Sequence, residues 1–169
     1  MKKVKIIFTF LLLSSVFNIY AQEAEDLLRQ GQQKLEMGNP SEALDLYTEA
    51  IQLDPNYLDA HLKRAFVYSM LNEHEKAILD YDRIVELNPQ NSDIYVSRGS
   101  AYNRLNQFEK AMVDFNKAIE IDRTNSDAFN NRGWAKKGLG DKKGACSDWK
   151  KSKKLGNEEA RIILINNQC

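Results

Sequence analysis

Histidine, cysteine and proline are scarce in this sequence. The first two scarcities argue against a metal site and a redox centre, and the third argues against an internal linker. The chain has 169 residues but only two histidines, His61 and His74, which lie 13 positions apart with no third ligand at a plausible spacing. We therefore expect no metal site. Its two cysteines, Cys146 and Cys169, form no Cys-x-x-Cys pair, which argues against a redox-active centre. Three prolines and no glycine-rich or serine-rich run leave no internal linker to place.

Sequence signals of catalysis and of nucleic-acid binding are also missing. We find no glycine-rich phosphate loop, no nucleophile elbow and no pair of carboxylates distinguishable from a solvated helix face. We therefore expect no catalytic residues and no cofactor. Basic and acidic residues balance at 24 each, whereas a nucleic-acid binder is normally strongly basic. An enzyme or metal protein is the least favoured of the alternatives.

The segment from Met1 to Ala21 has the pattern of a secretory signal peptide. Lysines stand at positions 2, 3 and 5, an apolar run follows from 6 to 17, and Ala21 offers a small residue for cleavage. The alternative is a retained anchor helix, but the apolar stretch of about 15 residues is shorter than the roughly 20 that a span needs. We expect cleavage after Ala21, no stable membrane span afterwards, and a periplasmic or secreted protein.

Small and aromatic residues recur along the chain at a period of 34. Alanine recurs at Ala43, Ala77, Ala111 and Ala145. An aromatic residue follows four positions later in each case, at Tyr47, Tyr81, Phe115 and Trp149. In the preceding half of each copy, the small residues are Gly31, Ala65, Gly99 and Gly133. A fixed period over four copies indicates a helical repeat array.

Each copy of the repeat has the pattern of two antiparallel helices. Apolar residues recur at helical spacing on both sides of Asn106-Gln107, which supplies a turn. Pro55 and Pro89 follow the second helices and prevent them from continuing, and asparagines such as Asn91 can cap the next helix. Residues 158–167 have a further amphipathic pattern, which predicts a helix that covers the last repeat. The predicted fold class is all-α.

The chain resembles the tetratricopeptide repeat family. That family has small residues at the eighth and twentieth positions, aromatics at the eleventh and twenty-fourth, and proline at the thirty-second. The copies are residues 24–57, 58–91, 92–125 and 126–159, within a domain of residues 22–159 followed by a capping helix at 158–169. The resemblance implies an α-solenoid that binds other proteins without catalysis. Its signature residues are packing residues, so they do not name a partner.

Arginine and aspartate recur together in three of the four copies. Arginine stands at the seventh position in Arg64, Arg98 and Arg132, and aspartate stands sixteen positions later in Asp80, Asp114 and Asp148. The first copy lacks both, with Gln30 and Leu46 instead. These two positions lie level in an antiparallel helix pair, which predicts a structural fork-to-carboxylate bond within each of the three repeats.

The two cysteines form a candidate disulfide. Cys146 precedes the turn at Gly156-Asn157 by about ten positions and Cys169 follows it by about twelve. Two antiparallel helices would bring the cysteines nearly level, and an exported protein meets an oxidising compartment. The bond would fasten the capping helix to the last repeat. The alternative is two free thiols.

The resemblance also implies a partner-binding groove, which in this family is lined by the first helix of each pair. The matching residues selected here are Leu28, Gln32, Leu62, Lys63, Phe66, Met70, Val96, Ser100, Asn103, Arg104, Asn130, Asn131, Trp134 and Lys137. For Leu28 and Leu62, the alternative to a place on the groove surface is packing in the core. Aromatic and amide side chains together suit an extended peptide, because amides pair with its backbone.

One binding mode of the family can be tested on the sequence. Repeat proteins that grip the terminal carboxylate of chaperones use lysine, asparagine and arginine at five fixed positions. Here those positions hold Leu28, Gln32, Lys63, Asp93 and Ser97, or, one copy later, Leu62, Phe66, Ser97, Asp127 and Asn131. Neither set forms the clamp, so we do not predict binding of a chaperone tail.

Charge differs between the two ends of the array. Residues 22–57 contain eight acidic and two basic residues, whereas residues 126–159 contain nine basic and five acidic residues. A run of charge is usually a solvated face. The other uses are an acidic partner, an anionic surface or self-association. The sequence therefore predicts an adaptor for envelope or secreted proteins, with a structural subunit that associates through its ends as the alternative.

Overall fold

The computed structural model describes the backbone of residues 2–167 and 169, and the side chains of residues 19–167 and 169. The described residues form nine α-helices and no strand. The helices are α1 (Lys2–Glu36), α2 (Pro40–Leu53), α3 (Leu58–Met70), α4 (His74–Leu87), α5 (Ser92–Arg104), α6 (Phe108–Ile121), α7 (Ser126–Gly138), α8 (Lys142–Lys154) and α9 (Glu158–Asn166). The predicted all-α fold class is confirmed.

Local sequence accounts for the helix ends. The Asn125 Oδ1 accepts a hydrogen bond from the backbone N–H of Ala128 at 2.9 Å, and the Asn157 Oδ1 accepts one from that of Ala160 at 3.0 Å. Both asparagines thereby satisfy donors that a helix start leaves without partners. Pro55 follows the end of α2 as expected. His74 is the first residue of α4.

A left-handed backbone residue lies between the two helices of every copy. These residues are Gly38, Asn72, Asn106 and Gly140, with φ of 80°, 60°, 57° and 85°. Glycine has no Cβ to oppose a positive φ, and asparagine tolerates it better than most other residues. The period of the repeat therefore extends to the turns that join the helix pairs.

The chain divides into two compact units, Met1–Val67 and Tyr68–Cys169. In the first unit, helices α1 and α2 pack closely against each other. One core cluster contains Ala24, Ala50 and Ala60, with Leu27 and Leu28 packed against it. A second contains Ala43, Tyr47 and Val67.

In the second unit, α5 pairs with α6, α7 pairs with α8, and α9 packs on α8. Its core clusters centre on Tyr95, Ala118 and Ala128, on Ala111, Phe115 and Ala135, and on Ala145, Trp149 and Ile163. Ile163 belongs to α9, so this helix completes the apolar surroundings of Trp149.

The recurring small residue makes room for the recurring aromatic ring. A Cβ built at Gly99 would lie 2.7 Å from the Phe115 ring, and a Cβ at Gly133 would overlap the Trp149 indole. Gly31 faces Tyr47 in the same way. Each of these first helices therefore carries glycine where the ring of its second helix lies, because no larger residue fits that space.

Helix α1 continues without a break from Lys2 through the expected cleavage position after Ala21. The side chains of positions 1–18, which carry most of the signal-peptide pattern, lie outside the described residues. Ile19 and Tyr20 are exposed, and Ala24 is the first residue along the chain with a described, buried side chain. Within the described residues, no helix has both the length and the apolar character needed to cross a membrane.

Candidate functional site

The structure brings together two of the three expected arginine–aspartate pairs. Arg98 Nε donates to Asp114 Oδ2 at 2.9 Å while Arg98 Nη2 donates to Asp114 Oδ1 at 2.7 Å. Arg132 makes the same two bonds to Asp148, each at 2.8 Å. Both aspartates are buried. These are two-point bonds of the kind that can hold a carboxylate in a fixed orientation.

The third expected pair, Arg64 with Asp80, spans the two units and stays a prediction. Arg64 donates to Thr48 Oγ1 at 3.0 Å, and Asp80 is buried. In the fourth copy, Asp148 has a second cationic partner besides Arg132, because Lys136 Nζ lies 2.8 Å from Asp148 Oδ2.

Arg98 and Arg132 also contact the preceding repeat, which the sequence reasoning missed. Arg98 Nη1 donates to Asp82 Oδ1 and Arg132 Nη1 donates to Asn116 Oδ1, both at 2.7 Å and both sixteen positions back. Thr48, Asp82 and Asn116 occupy the same position in successive copies, and all carry a side-chain oxygen. That shared chemistry is the signal that would have revealed the contacts. The arginines therefore join neighbouring repeats as well as the helices of one repeat.

Two opposing effects act on the titration of the Arg98–Asp114 pair. Burial raises the pKa of Asp114, and the bonds from Arg98 act in the opposite direction. The bond to Asp114 in turn raises the pKa of Arg98. We take Asp114 to be ionised, because two guanidinium N–H groups donate to its two oxygens and a protonated carboxyl cannot accept both equally well.

Cys146 and Cys169 are joined by a disulfide in the structure, with Cα atoms 5.5 Å apart. Cys169 also packs against the cluster of Ala145, Trp149 and Ile163. The two cysteines are separated by 23 positions, and the closed loop contains all of α9. The C-terminal segment is therefore held to α8 at its far end as well as by packing.

A cavity of about 740 Å³ lies in the second unit and is the best candidate for a functional site. Seven of the residues that the sequence selected for a groove line it: Ser100, Asn103, Arg104, Asn130, Asn131, Trp134 and Lys137. Three lining residues were missed: Phe108, Gly138 and Glu159. They lie at the start of α6, the end of α7 and in α9, whereas the family pattern points only to selected positions of the first helices.

Carboxamide groups form the polar part of this cavity. Asn103 Nδ2 donates to the backbone oxygen of Asn131 at 3.0 Å, and Asn130 Nδ2 donates to Glu159 Oε2 at 3.3 Å. The Oδ1 atoms of Asn103 and Asn130 are buried and have no hydrogen-bond partner among the described residues. A buried acceptor without a partner is uncommon in proteins and calls for an explanation.

Aromatic rings form the apolar part. The Trp134 ring centroid lies 5.2 Å from that of the buried Trp149, with the planes at 65°. Lys137 Nζ lies 5.0 Å from the Trp134 centroid and donates to Asn167 Oδ1 at 2.7 Å. Trp134 nevertheless keeps 38% of its surface exposed. The cavity thus combines a supported but accessible indole with amide and cationic groups.

The remaining groove candidates divide into packed and exposed residues. Leu28 and Val96 are half-buried and pack against core clusters, and their place in a groove stays a prediction. Lys63 is half-buried, and Gln32 is exposed and donates to Glu36 Oε1 at 3.3 Å. The apolar candidates Leu62, Phe66 and Met70 are 38%, 53% and 56% exposed.

His61 has a structural role. It is buried, and its Nε2–H donates to the backbone oxygen of Pro55 at 3.1 Å. The Tyr95 hydroxyl makes the corresponding bond to Pro89 one copy later, at 3.3 Å. Among the described residues, no group of three or more histidine, cysteine, aspartate or glutamate side chains is placed to hold a metal ion.

Helix pairs repeated at a fixed period, with an accessible cavity lined by amides and aromatics, define a helical-repeat interaction protein. Two sequence models of the family described as tetratricopeptide repeat match residues 34–95 and 92–125, together more than half of the chain. The chain belongs to the tetratricopeptide repeat family. Proteins of this family are generally non-catalytic modules that bind other proteins or peptides.

Solved structures of similar proteins agree with this assignment. A crystal structure of MamA protein is 25% identical, with a TM-score of 0.73 over 82% of this chain and 76% of that chain. The first tetratricopeptide domain of Spaghetti (RPAP3), bound to the HSP90 peptide SRMEEVD, is 28% identical, with a TM-score of 0.66 over 71% of this chain and 95% of that chain. MamA from Desulfovibrio magneticus RS-1, at 22% identity and a TM-score of 0.74 over 79% and 75% of the two chains, shares the fold.

Proposed function

We propose that this protein is an exported, non-catalytic adaptor whose cavity in the second unit receives an extended segment of a partner protein. The observation that carries the proposal is the meeting of an accessible indole, Trp134, with three asparagines in a cavity of about 740 Å³. That size falls within the range of about 300–1,000 Å³ typical of ligand pockets.

The chemistry of the lining favours a polypeptide segment. Trp134 and Phe108 offer apolar area to a side chain. Asn103, Asn130 and Asn131 offer carboxamides, and a carboxamide can both donate to and accept from a peptide backbone. Rigid aromatic anchors surrounded by amides are frequent in protein recognition sites.

Export supports a role among envelope or secreted proteins. The basic and apolar pattern of residues 1–21 is that of a signal peptide. The disulfide between Cys146 and Cys169 suits an oxidising compartment, because disulfides are uncommon in reducing ones. We propose that the adaptor helps to assemble or position partners there.

Site-specific photo-crosslinking tests this function. A photoreactive amino acid replaces Asn131 in the cavity or, separately, the exposed Phe66 of the first unit, and captured proteins are identified by mass spectrometry. Lys117, which is paired with Glu120 on α6 and does not line the cavity, is the control position. The proposal expects a distinct partner at 131 that is absent at 117. Equal capture at both positions, or none at 131, would contradict it.

A structural subunit that associates through its ends is the second candidate. Ile162 and Ile165 of α9 are 56% and 70% exposed, and exposed apolar residues on a terminal helix favour contact with another chain. Light scattering of the purified protein at several concentrations distinguishes the two. A defined oligomer that dissociates in the Ile165→Lys variant would support the structural subunit.

A further inference from the structure

The two cations that line the cavity have no carboxylate partner among the described residues. Arg104 and Lys137 both line it, and within the described part of the chain neither forms an ion pair, although Arg98, Arg132 and Lys136 all do. Among the residues with described side chains, Lys137 donates only to the neutral side chain of Asn167. The Arg104 side chain is exposed and donates no hydrogen bond to any described residue.

One carboxylate of the chain already occupies this cavity. Glu159 of α9 accepts from Asn130 Nδ2 at 3.3 Å. Asn130 is only 4% exposed, and its Oδ1 has no partner among the residues that the structure describes. A buried amide with one orphan oxygen, covered by a carboxylate that is itself largely exposed, is not a completed packing arrangement.

We propose that the cavity recognises a carboxylate of the partner segment through Arg104 and Lys137, and that Glu159, which accepts from Asn130 Nδ2 in the same cavity, is an internal competitor for that amide donor. This deepens the proposed function and rests on it. The guanidinium of Arg104 can present two parallel N–H groups to a carboxylate. The Trp134 and Phe108 rings line the same cavity, and an apolar side chain of the partner segment that covers them would displace water and strengthen the attraction of both cations for an anion.

The site differs from the chaperone-tail clamp. Neither Arg104 nor Lys137 occupies a position that matches that clamp in either copy, and the matching positions hold mostly uncharged residues. Removal of Glu159 from Asn130 would also free a buried amide donor for the partner. The partner is therefore a segment with an acidic group beside an apolar side chain, which Trp134 can contact.

A displayed library of random heptapeptides, selected on the disulfide-intact protein, tests the inference. We expect the selected peptides to be enriched in aspartate or glutamate next to an aromatic or aliphatic residue. Synthetic copies of a selected peptide then provide dissociation constants. Replacement of its acid by the matching amide should weaken binding roughly tenfold or more. Comparison of free and amidated C-termini shows whether the carboxylate is a side chain or the chain end.

Matched variants assign the effect to this cavity. Arg104→Gln and Lys137→Gln should each weaken the acidic peptide about fivefold or more, whereas Lys142→Gln removes the same charge on α8 away from the cavity and should not. Glu159→Gln should strengthen binding, and its neighbour Glu158→Gln, which pairs with Arg161, serves as the control.

The outcomes separate the two proposals. Selected peptides without an acidic preference, or with affinities unchanged by Arg104→Gln and Lys137→Gln, would overturn the carboxylate inference and leave the proposed function standing. No selected peptide, together with no crosslinked partner at position 131, would overturn both. Unchanged affinity in Glu159→Gln would overturn the role of Glu159 as a competitor.

Discussion

Arg98 lies between two aspartates of neighbouring repeats, bound at two points to Asp114 and at one point to Asp82. The bonds to Asp114 measure 2.9 and 2.7 Å, and the bond to Asp82 measures 2.7 Å. Asp114 is almost fully buried, whereas 45% of the Asp82 side chain is exposed. The buried partner orients the guanidinium, and the exposed one ties it to the preceding helix pair.

The Arg98–Asp114 pair predicts a large loss of stability when only one of the two partners is removed. Asp114→Asn leaves Arg98 half-buried with an incomplete set of acceptors, so we expect a loss of about 3 kcal/mol in the free energy of unfolding, measured by urea denaturation. The double variant with Arg98→Met should lose less than the sum of the two single variants. Asp26→Asn breaks the exposed pair with Arg29 and should cost about 0.5 kcal/mol or less. Unchanged stability in Asp114→Asn would contradict the structural role.

The contact between Gly99 and Phe115 predicts a steric effect. Gly99→Ala places a Cβ 2.7 Å from the Phe115 ring, which is fully buried and cannot withdraw. We expect a loss of about 1–3 kcal/mol, although alanine favours a helix more than glycine does. Ser97→Ala on the same helix is the control. A stabilised Gly99→Ala would show that the ring has room to move.

The disulfide predicts a stability that depends on reducing agent. Closure of a loop with a sequence separation of 23 contributes about 3 kcal/mol by the chain-entropy estimate. Reduction should therefore lower the thermal midpoint of the wild type and leave the Cys146→Ser/Cys169→Ser variant unchanged. Alkylation of the exported protein without reduction checks the bond directly, and two reactive thiols would contradict it.

The burial pattern near the N-terminus predicts that two deletions of slightly different length will have very different effects on stability. Ile19 and Tyr20 are exposed and Ala24 is buried, so deletion of residues 1–21 should change the free energy of unfolding by less than about 0.5 kcal/mol. Deletion of residues 1–27 removes Ala24 and Leu27 from their cluster and should be clearly destabilising. The intact mass of the exported protein should correspond to a start at Gln22. Equal effects of both deletions would show that the segment before Gln22 belongs to the fold.

Hydrogen bonds from Thr124 predict the titration of Asp122. The Thr124 hydroxyl and backbone N–H donate to Asp122 Oδ1 at 2.6 and 2.8 Å and lower the pKa of this carboxyl below its ordinary value of 3.8. The bonds therefore stabilise the fold above that value, and their contribution is lost as the pH falls through the lowered pKa. Carbon-13 NMR should show that Thr124→Ala raises the pKa of Asp122. An unmoved pKa would contradict the assignment.

Much of the fold follows from the sequence alone. The repeat period places small residues, aromatics and capping asparagines such as Asn125 where the structure uses them. The reason is that each of these features is decided within one helix pair, where helical geometry relates neighbours along the chain. The spacing of sixteen positions between Arg98 and Asp114 predicts their contact for the same reason.

Only the tertiary structure decided which groups meet between repeats and at the C-terminal end. Asp82 lies beside Arg98 because one helix pair packs on the preceding one. Phe108 and Gly138 line the cavity because α6 packs on α7, and Glu159 lines it because α9 packs on α8 and brings its first turn to α7. The recurring side-chain oxygen at the Asp82 position is visible in the sequence, but the packing of separate helices decides which group that oxygen meets. The sequence by itself determined a repeat array of helix pairs, and the packing of those pairs determined the cavity and the charges that face it.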